Sequence, residues 1–416
     1  MIHNNTNTLS GLTSFYDDRS VFVTGGTGMV GMVYLSRLAL DTPVKRVYVL
    51  VRGGEDRFWD FIPQHLPIKL VDRLRDSGKL VILDGDMTKP NCNLTQDALD
   101  DIRRDVSIVV HCACDLNLKK KLSLMVDCVL NPTCGLSKMA LECANLDLFV
   151  FVSTAFSSTF LRKGSDGKIV GYDARIKEDV NHIRAEMTLD AELADLEAFG
   201  DTPEYSFVKH PFAYSYAKHL TERCLLRDFA AIGKSDKLMV FRPSIIGPAE
   251  SFPYPFYEKP GSAPLTTMAA LNIVCPPTKS IYSSHFSKPK EEVFYDEIPV
   301  DIVVNRMIAH VAARTTSIVH AWRDVDWKAD ELCLTSKLFV LMGCNFLFED
   351  TKTERLWESM SQVDREDWPL WASSDAMNAW HKDNVEGRKK AVRILVGQIL
   401  KKKLGVSPAF TKLFCR

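Results

Sequence analysis

Tyr214 and Lys218 stand four residues apart in Tyr214-Ser-Tyr-Ala-Lys218. In a helix, that spacing puts both side chains on one face. An ammonium beside a phenol favours phenolate and lowers the tyrosine pKa from about 10 toward working pH. Tyr214 is therefore a candidate proton donor to a carbonyl oxygen during hydride transfer. Tyr-x-x-x-Lys alone is common, and a third element gives it weight. Phe151-Val-Ser153-Thr154-Ala155 closes an apolar run, where a hydroxyl would face the same pocket. Thr154, or failing that Ser153, would hydrogen-bond the substrate oxygen. Tyr216 is two residues on and is expected to face elsewhere.

A hydride donor needs its own cradle. Val21-Phe-Val-Thr24 runs directly into Gly25-Gly26-Thr27-Gly28-Met29-Val30-Gly31 and then a helical pattern. Gly25 would permit the tight turn and Gly28 the close approach of a pyrophosphate. Gly31 would let the helix pack on the strand, with phosphate charge resting on the first N–H groups of that helix. Strand, turn and helix come in the order this mechanism needs. The second apolar run ends Val49-Leu50-Val51-Arg52. An acidic residue there would grip the ribose of NAD, whereas Arg52 offers a guanidinium to a 2′-phosphate, so NADPH is the expected cofactor. Gly85-Asp86-Met87 follows the third run and should border the adenine, with Asp86 accepting from its amino group. His111-Cys-Ala-Cys-Asp115 should line the path of the ribose and nicotinamide.

The elements that must position these residues alternate in kind. Strands are expected at Val21–Thr24, Val47–Val51, Leu80–Leu83, Ile108–His111, Phe149–Val152 and Met239–Phe241. Each is apolar at nearly every position, as a parallel strand covered on both faces should be. Helical patterns at 29–40, 119–128 and 133–145 lie between them. The expected fold class is therefore α/β, a Rossmann-type doubly wound parallel sheet. Residues 160–212 read as a polar excursion with an acidic helix around Glu186–Glu197, ending before a helix near Pro211. Residues 243–299 read as long ordered loops, rich in Pro, Ser and aromatics, with a helix at 300–314. The tail from about 330 spaces Trp357, Trp368, Trp371 and Trp380 among charges, suggesting a small C-terminal helical domain. The expected division is a cofactor-binding and catalytic domain over 15–315 and a helical domain over 330–400.

Bulk properties narrow the setting. The chain has 416 residues, a formal net charge of −1, 46% hydrophobic and 25% charged residues. No global basic field recruits nucleic acid. The eleven cysteines contain no C-x-x-C pair, and no metal site is expected. The polar start, MIHNNTNTLSGL, lacks the layout of a signal peptide, so a cytoplasmic location is the default. The best apolar run, Leu332 to Phe348, carries Lys337 and Asn345 and falls short of the roughly 20 residues a membrane span needs. It reads as a buried element. With Lys401–Lys403 it leaves room for peripheral contact with an intracellular membrane.

The glycine turn, the hydroxyl at the fifth strand and Tyr-x-x-x-Lys, in that order, resemble the extended short-chain dehydrogenase/reductase superfamily. The finer resemblance is to the fatty acyl-CoA reductases. It is carried by TGGTGMVG at 24–31, GDMTKPN at 85–91, VSTAF at 152–156, FRPSIIGP at 241–248 and IPVDIVVNRMI at 298–308. The tail adds Leu356-Trp357, Asp364 to Asp367, and Trp380 through Gly387-Arg388, so the likeness spans about 18 to 395. It implies catalytic roles for Thr154, Tyr214 and Lys218. It implies cofactor contacts for Gly25, Thr27, Gly28, Met29, Gly31, Arg52, Asp86, Met87 and Lys218, with Arg242 and Ser244 shaping the loop beside the nicotinamide. The implied reaction is NADPH-dependent reduction of an acyl thioester, on CoA or on a carrier protein, to an aldehyde and then a primary alcohol. The pattern departs from the family at Phe212-Ala213, where Asn-Thr usually precedes the tyrosine. Three other readings compete: a reductase of a carrier-protein-bound acyl thioester that stops at aldehyde, a short-chain reductase or epimerase acting on a small carbonyl or sugar, and a non-enzymatic scaffold that senses NADPH. Loss of the tail should stop an acyl-thioester reductase and spare the sugar enzyme.

Overall fold

The computed structural model describes residues 11–118, 120–162, 173–179, 188–208, 212–274, 297–321, 345–373 and 382–404. Seven parallel strands form its main sheet. They are β1 (Ser20–Thr24), β2 (Arg46–Val51), β3 (Leu80–Asp84), β4 (Val106–His111), β5 (Leu148–Val152), β7 (Leu238–Pro243) and β10 (Ser317–Ala321), in the order β10-β7-β5-β4-β1-β2-β3. Two-stranded parallel pairs flank it: β6 (Asp173–Ile176) with β11 (Asn345–Phe348), and β8 (Ile245–Gly247) with β9 (Glu297–Pro299). All six expected strands are present. The seventh, β10, lies beyond the boundary expected at 315, so the sheet reaches further along the chain than its composition indicates.

Alternation along each strand feeds two separate cores. Val21, Val23, Val47, Val49, Ile108, Val110, Met239 and Phe241 face one side. That side is covered by α1 (Met29–Asp41), α3 (Ile68–Asp76) and the helix at Val300–Ala312, and α2 (Gly54–Phe61) adds Phe58. Phe22, Tyr48, Leu50, Val109, Phe149, Phe151 and Val240 face the other side. Its cover is α4 (Gln96–Asp105), α6 (Asn131–Leu141) and α9 (Ala213–Ala231). A short α5 (Leu122–Met125) passes through a wide π turn at Val126–Leu130 straight into α6, joining what the sequence presents as two helices.

The acidic stretch forms α7 (Leu189–Phe199), capped by the Thr188 hydroxyl on the Ala191 N–H at 3.2 Å, and α8 (Pro203–Val208) follows. The segment expected as loops holds a further helix, α10 (Pro264–Val274), before β9 and then α11 (Val300–Ala312). Of the apolar run at 332–348, only 345–348 lies within the described residues, as the strand β11. The tail supplies α12 (Thr351–Ser359), α13 (Gln362–Asp367) and α14 (Lys382–Leu404). Trp380 lies outside the described residues. No described helix is long and apolar enough to cross a membrane.

The part of the tail around α12 and α13 packs into the core of the sheet, whereas α14 packs on α10. Trp368 and Leu370 are buried in the same core as α1 and α11. Arg306 of α11 is 1% exposed, donates to the Leu370 carbonyl at 2.7 Å and pairs with Asp350 at 3.0 Å. Asn305 donates to the Pro369 carbonyl at 3.1 Å. Arg37 of α1 donates to the Asp367 carbonyl at 2.8 Å and lies 4.2 Å over the Trp368 ring. The polar residues of α11 therefore bond to neighbouring chain, while its apolar ones fill the core. Asp301 shows the same division, accepting from the N–H groups of Glu250, Ser251 and Phe252 at 2.7–3.0 Å.

Candidate functional site

The strand order reverses between β1 and β4, and in an open α/β sheet ligands bind beyond the strand ends at such a point. Here β1 ends at Thr24 and runs into the glycine turn. Gly25 has a φ of 78°, and a Cβ on it would lie 2.5 Å from the Ala113 nitrogen. Gly31 is held more tightly still, because a Cβ would come to 2.1 Å from the Gly25 carbonyl oxygen. Its smallness seats α1 on the turn itself, a closer contact than the expected helix-on-strand packing. The first backbone bond of α1 runs from the Met32 N–H to the Gly28 carbonyl at 2.9 Å, so the N–H groups of Met29 to Gly31 precede the helical ladder. No side chain caps this end, and its first turn holds no acidic residue. An uncapped positive helix end at the switch point fits a phosphate-bearing dinucleotide.

A hydrogen-bonded chain locks the two strands that frame the turn. The Ala113 N–H donates to Thr24 Oγ1 at 3.4 Å, and Thr24 Oγ1 lies 2.6 Å from His111 Nδ1. His111 Nε2 lies 3.0 Å from Thr133 Oγ1, which donates to the Val129 carbonyl at 2.5 Å. Because the Thr133 proton is spent on Val129, His111 must donate from Nε2 and accept at Nδ1. Burial holds its pKa down at about 3, with the Lys218 charge acting in the same direction. His111 is therefore a neutral internal brace, while Cys112 and Cys114 are partly exposed along the strand end.

Arg52 is exposed at the end of β2. Arg57, which the sequence reading passed over, turns back from α2 and donates to the Arg52 carbonyl at 2.6 Å. Asp86 is half-buried, and its Oδ1 accepts from the Thr88 N–H at 3.0 Å and the Thr88 hydroxyl at 2.9 Å. These bonds, the backbone one first, hold its pKa below the usual carboxylate value, and Arg52 contributes. The oxygen expected to meet adenine thus also braces its own loop. Met87 packs on the core beneath.

At the end of β5, α9 brings the Tyr-Lys pair to the same edge. Lys218 is 1% exposed, donates to the Val152 carbonyl at 2.7 Å and lies 4.4 Å over the Phe151 ring and 6.0 Å from the Tyr214 ring. Tyr214 does not titrate as the spacing alone suggests. Burial pushes its phenol well above the usual value, and Cys114 and Glu222 push the same way. One proton of the Lys218 ammonium goes to the Val152 carbonyl, and burial makes the neutral phenol the favoured form. Tyr216 faces away: it is fully buried and donates to Glu192 at 2.8 Å.

The structure chooses between the two hydroxyls. Ser153 donates its proton to Glu222. Thr154 Oγ1 accepts from the Phe156 N–H at 3.2 Å, which leaves its own proton uncommitted among the described residues. Glu222 was missed in the sequence, although Tyr214, Lys218 and Glu222 repeat at four-residue steps along one helix face. Its carboxylate also takes Ser157 at 3.4 Å and Arg242 at 2.5 and 3.0 Å. Arg242 and Glu222 are both 0% exposed. Arg242, expected among the cofactor contacts and to shape the loop beside the nicotinamide, has its guanidinium taken up by Glu222 and by the Asp179 carbonyl at 3.2 Å. It clamps α9 to β7. Ser244 is buried just after β7, its N–H donating to the Ala321 carbonyl at 2.7 Å.

An all-parallel sheet with a glycine turn at its switch point and a Tyr-Lys pair beside the fifth strand defines a short-chain dehydrogenase/reductase-like, nicotinamide-dinucleotide-binding protein. Residues 23–307 match the NAD-binding family described as male sterility protein. The chain belongs to that family, which is the family of the fatty acyl-CoA reductases. It is 27% identical over 307 residues to human fatty acyl-CoA reductase 1, covering 72% of this chain and 55% of the relative. It is 32% identical over 162 residues to the Drosophila melanogaster fatty acyl-CoA reductase wat, covering 37% and 31%. The chain thus spans about half the length of the full-length relatives matched over most of it. Among solved structures, the terminal R domain of the myxalamid PKS-NRPS pathway superposes with a TM-score of 0.52 at 18% identity, over 88% of this chain and 80% of that one. Yeast methylglyoxal/isovaleraldehyde reductase Gre2 complexed with NADPH gives 0.51 at 13%, over 88% and 99%. These likenesses concern the fold.

Proposed function

We propose that this chain is an NADPH-dependent oxidoreductase that reduces a fatty acyl thioester, carried on CoA, to a primary alcohol through an aldehyde. The observation that carries the reading is the placement, at the sheet edge beyond β5, of the Tyr214 ring 6.0 Å from Lys218, of Lys218 on the Val152 carbonyl, and of a Thr154 hydroxyl whose proton is uncommitted among the described residues. Gly25, Thr27, Gly28, Met29 and Gly31 would hold the pyrophosphate of the dinucleotide, Arg52 its 2′-phosphate, and Asp86 and Met87 its adenine side. Bound NADPH would supply hydride to the carbonyl carbon.

The chain's own residues handle the oxygen. Thr154 and Tyr214 donate hydrogen bonds to the oxyanion as charge develops there. Tyr214 then releases its proton to that oxygen, and the Lys218 ammonium, fixed on Val152, stabilises the resulting phenolate. The hemithioacetal collapses to aldehyde and free thiol, and a second round gives the alcohol.

The test is NADPH oxidation by the purified chain with a panel of acyl-CoAs, with products identified by mass. About two NADPH consumed per thioester, with a primary alcohol formed, is the expected result. One NADPH with aldehyde would remove the second round. No oxidation with any acyl-CoA would overturn the substrate assignment.

A further inference from the structure

Lys259 lies outside every motif that marks the cofactor site in the sequence, yet the fold brings it to the glycine turn. Its Nζ donates to the Thr27 carbonyl at 3.0 Å, one residue before Gly28. The same ammonium lies 5.2 Å over the Phe61 ring at the end of α2. Among the described residues, no carboxylate forms an ion pair with it. A half-buried ammonium served only by a carbonyl and a ring face has given up hydration without a counter-charge. Burial lowers its pKa accordingly.

The position of Lys259 is fixed from both sides. Asp301 gathers the N–H groups of Glu250 to Phe252, and the Phe256 N–H donates to the Ala249 carbonyl at 2.9 Å. On the other flank, Thr266 donates to Glu258 at 2.7 Å. A flexible side chain on a braced loop therefore points at the end of α1 where the helix dipole and the N–H groups of Met29 to Gly31 favour negative charge.

We propose that Lys259 is a further cofactor-binding residue, whose ammonium pairs with the pyrophosphate charge of the dinucleotide over the Gly25–Gly31 turn. This rests on the reading that the phosphates lie on that turn. A charge-assisted bond of this kind contributes about ten-fold or more to affinity.

Calorimetric titration of the full chain with NADPH and with NADH tests it. Lys259→Met should weaken both by about ten-fold or more, and Lys259→Arg should stay within about three-fold of the wild type. The dependence of NADPH affinity on salt should flatten in Lys259→Met, which a merely structural role would not cause. Wild-type affinity for both dinucleotides in a folded Lys259→Met chain would overturn the proposal alone. A loss confined to NADPH would also overturn it, because the lysine would then serve the 2′-phosphate. Absence of any binding by the wild-type chain would bring down the proposal and the site reading together.

Discussion

In the proposed mechanism Tyr214 has to be an acid at working pH, and its surroundings favour the protonated form. Burial is the largest influence on the phenol, and Cys114 and Glu222 act in the same direction. Because the neutral form is favoured, the alkaline limb of kcat/KM should lie above the ordinary tyrosine value of about 10, and not near neutrality. A limb near pH 7–8 that disappears in Tyr214→Phe would contradict this. Tyr214→Phe itself should lose roughly 10²-fold or more of turnover with NADPH binding nearly unchanged, since the hydroxyl acts on the substrate oxygen and not on the cofactor phosphates. Turnover and calorimetric binding on one preparation separate the two effects.

At the scale of elements, the decisive group is Glu222, two turns beyond the tyrosine on α9. It joins the end of β5 through Ser153, the following turn through Ser157 and β7 through Arg242, and all of these side chains are buried. Truncating one member of a buried ion pair strands the other, so Glu222→Ala should destabilise the fold by about 3–5 kcal/mol in urea denaturation. The double variant Glu222→Leu with Arg242→Met should recover much of that loss, because it removes both charges together. A single variant as stable as the wild type would show that the clamp contributes nothing. This arrangement spends the Ser153 hydroxyl, so Thr154 is the hydroxyl that the proposed mechanism can use.

Over the whole molecule, residues 360–372 of the tail share a core with α1 and α11, whereas α14 packs on α10. Trp368 is 2% exposed between α1 and α11, so Trp368→Ala should cost about 3–5 kcal/mol. Removing residues 345–416 should collapse the α/β body whatever the substrate is. Deletion of the tail therefore cannot separate an acyl-thioester enzyme from a sugar enzyme, contrary to what the sequence suggests. A truncated chain that melts like the full one would refute the shared core. The joint to α14 carries its own pH dependence. Burial pushes Glu258 up to about 7, with Thr266 and Arg388 opposing and Glu297 adding. Since the folded value exceeds the unfolded value of about 4.3, its contribution is fully present below that value and is lost as pH rises through about 7. Urea midpoints should fall between pH 5 and 8, and fall less in Glu258→Gln. Equal falls in both proteins would dismiss Glu258 as the source.

The sequence by itself determined the parallel sheet, the glycine turn and the Tyr-Lys pair. Each rests on local rules: apolar runs for strands covered on both faces, glycines where a Cβ would strike the backbone, and four-residue spacing on a helix. The smallness that Gly31 must have is legible in this way, because the atom it avoids belongs to the same turn. What only the tertiary structure decided depends on distant partners. The polar character of Arg242 and Asp301 is visible in the chain, but a buried charge does not announce its counterpart. Only the packing of α9 on β7 shows that Arg242 answers Glu222. The same holds for β10, for the tail's place in the core, and for Lys259, which reaches Thr27 across 232 residues because a braced loop folds back over α1. Those contacts are set by which surfaces the fold leaves uncovered, and no window of sequence contains both sides of them.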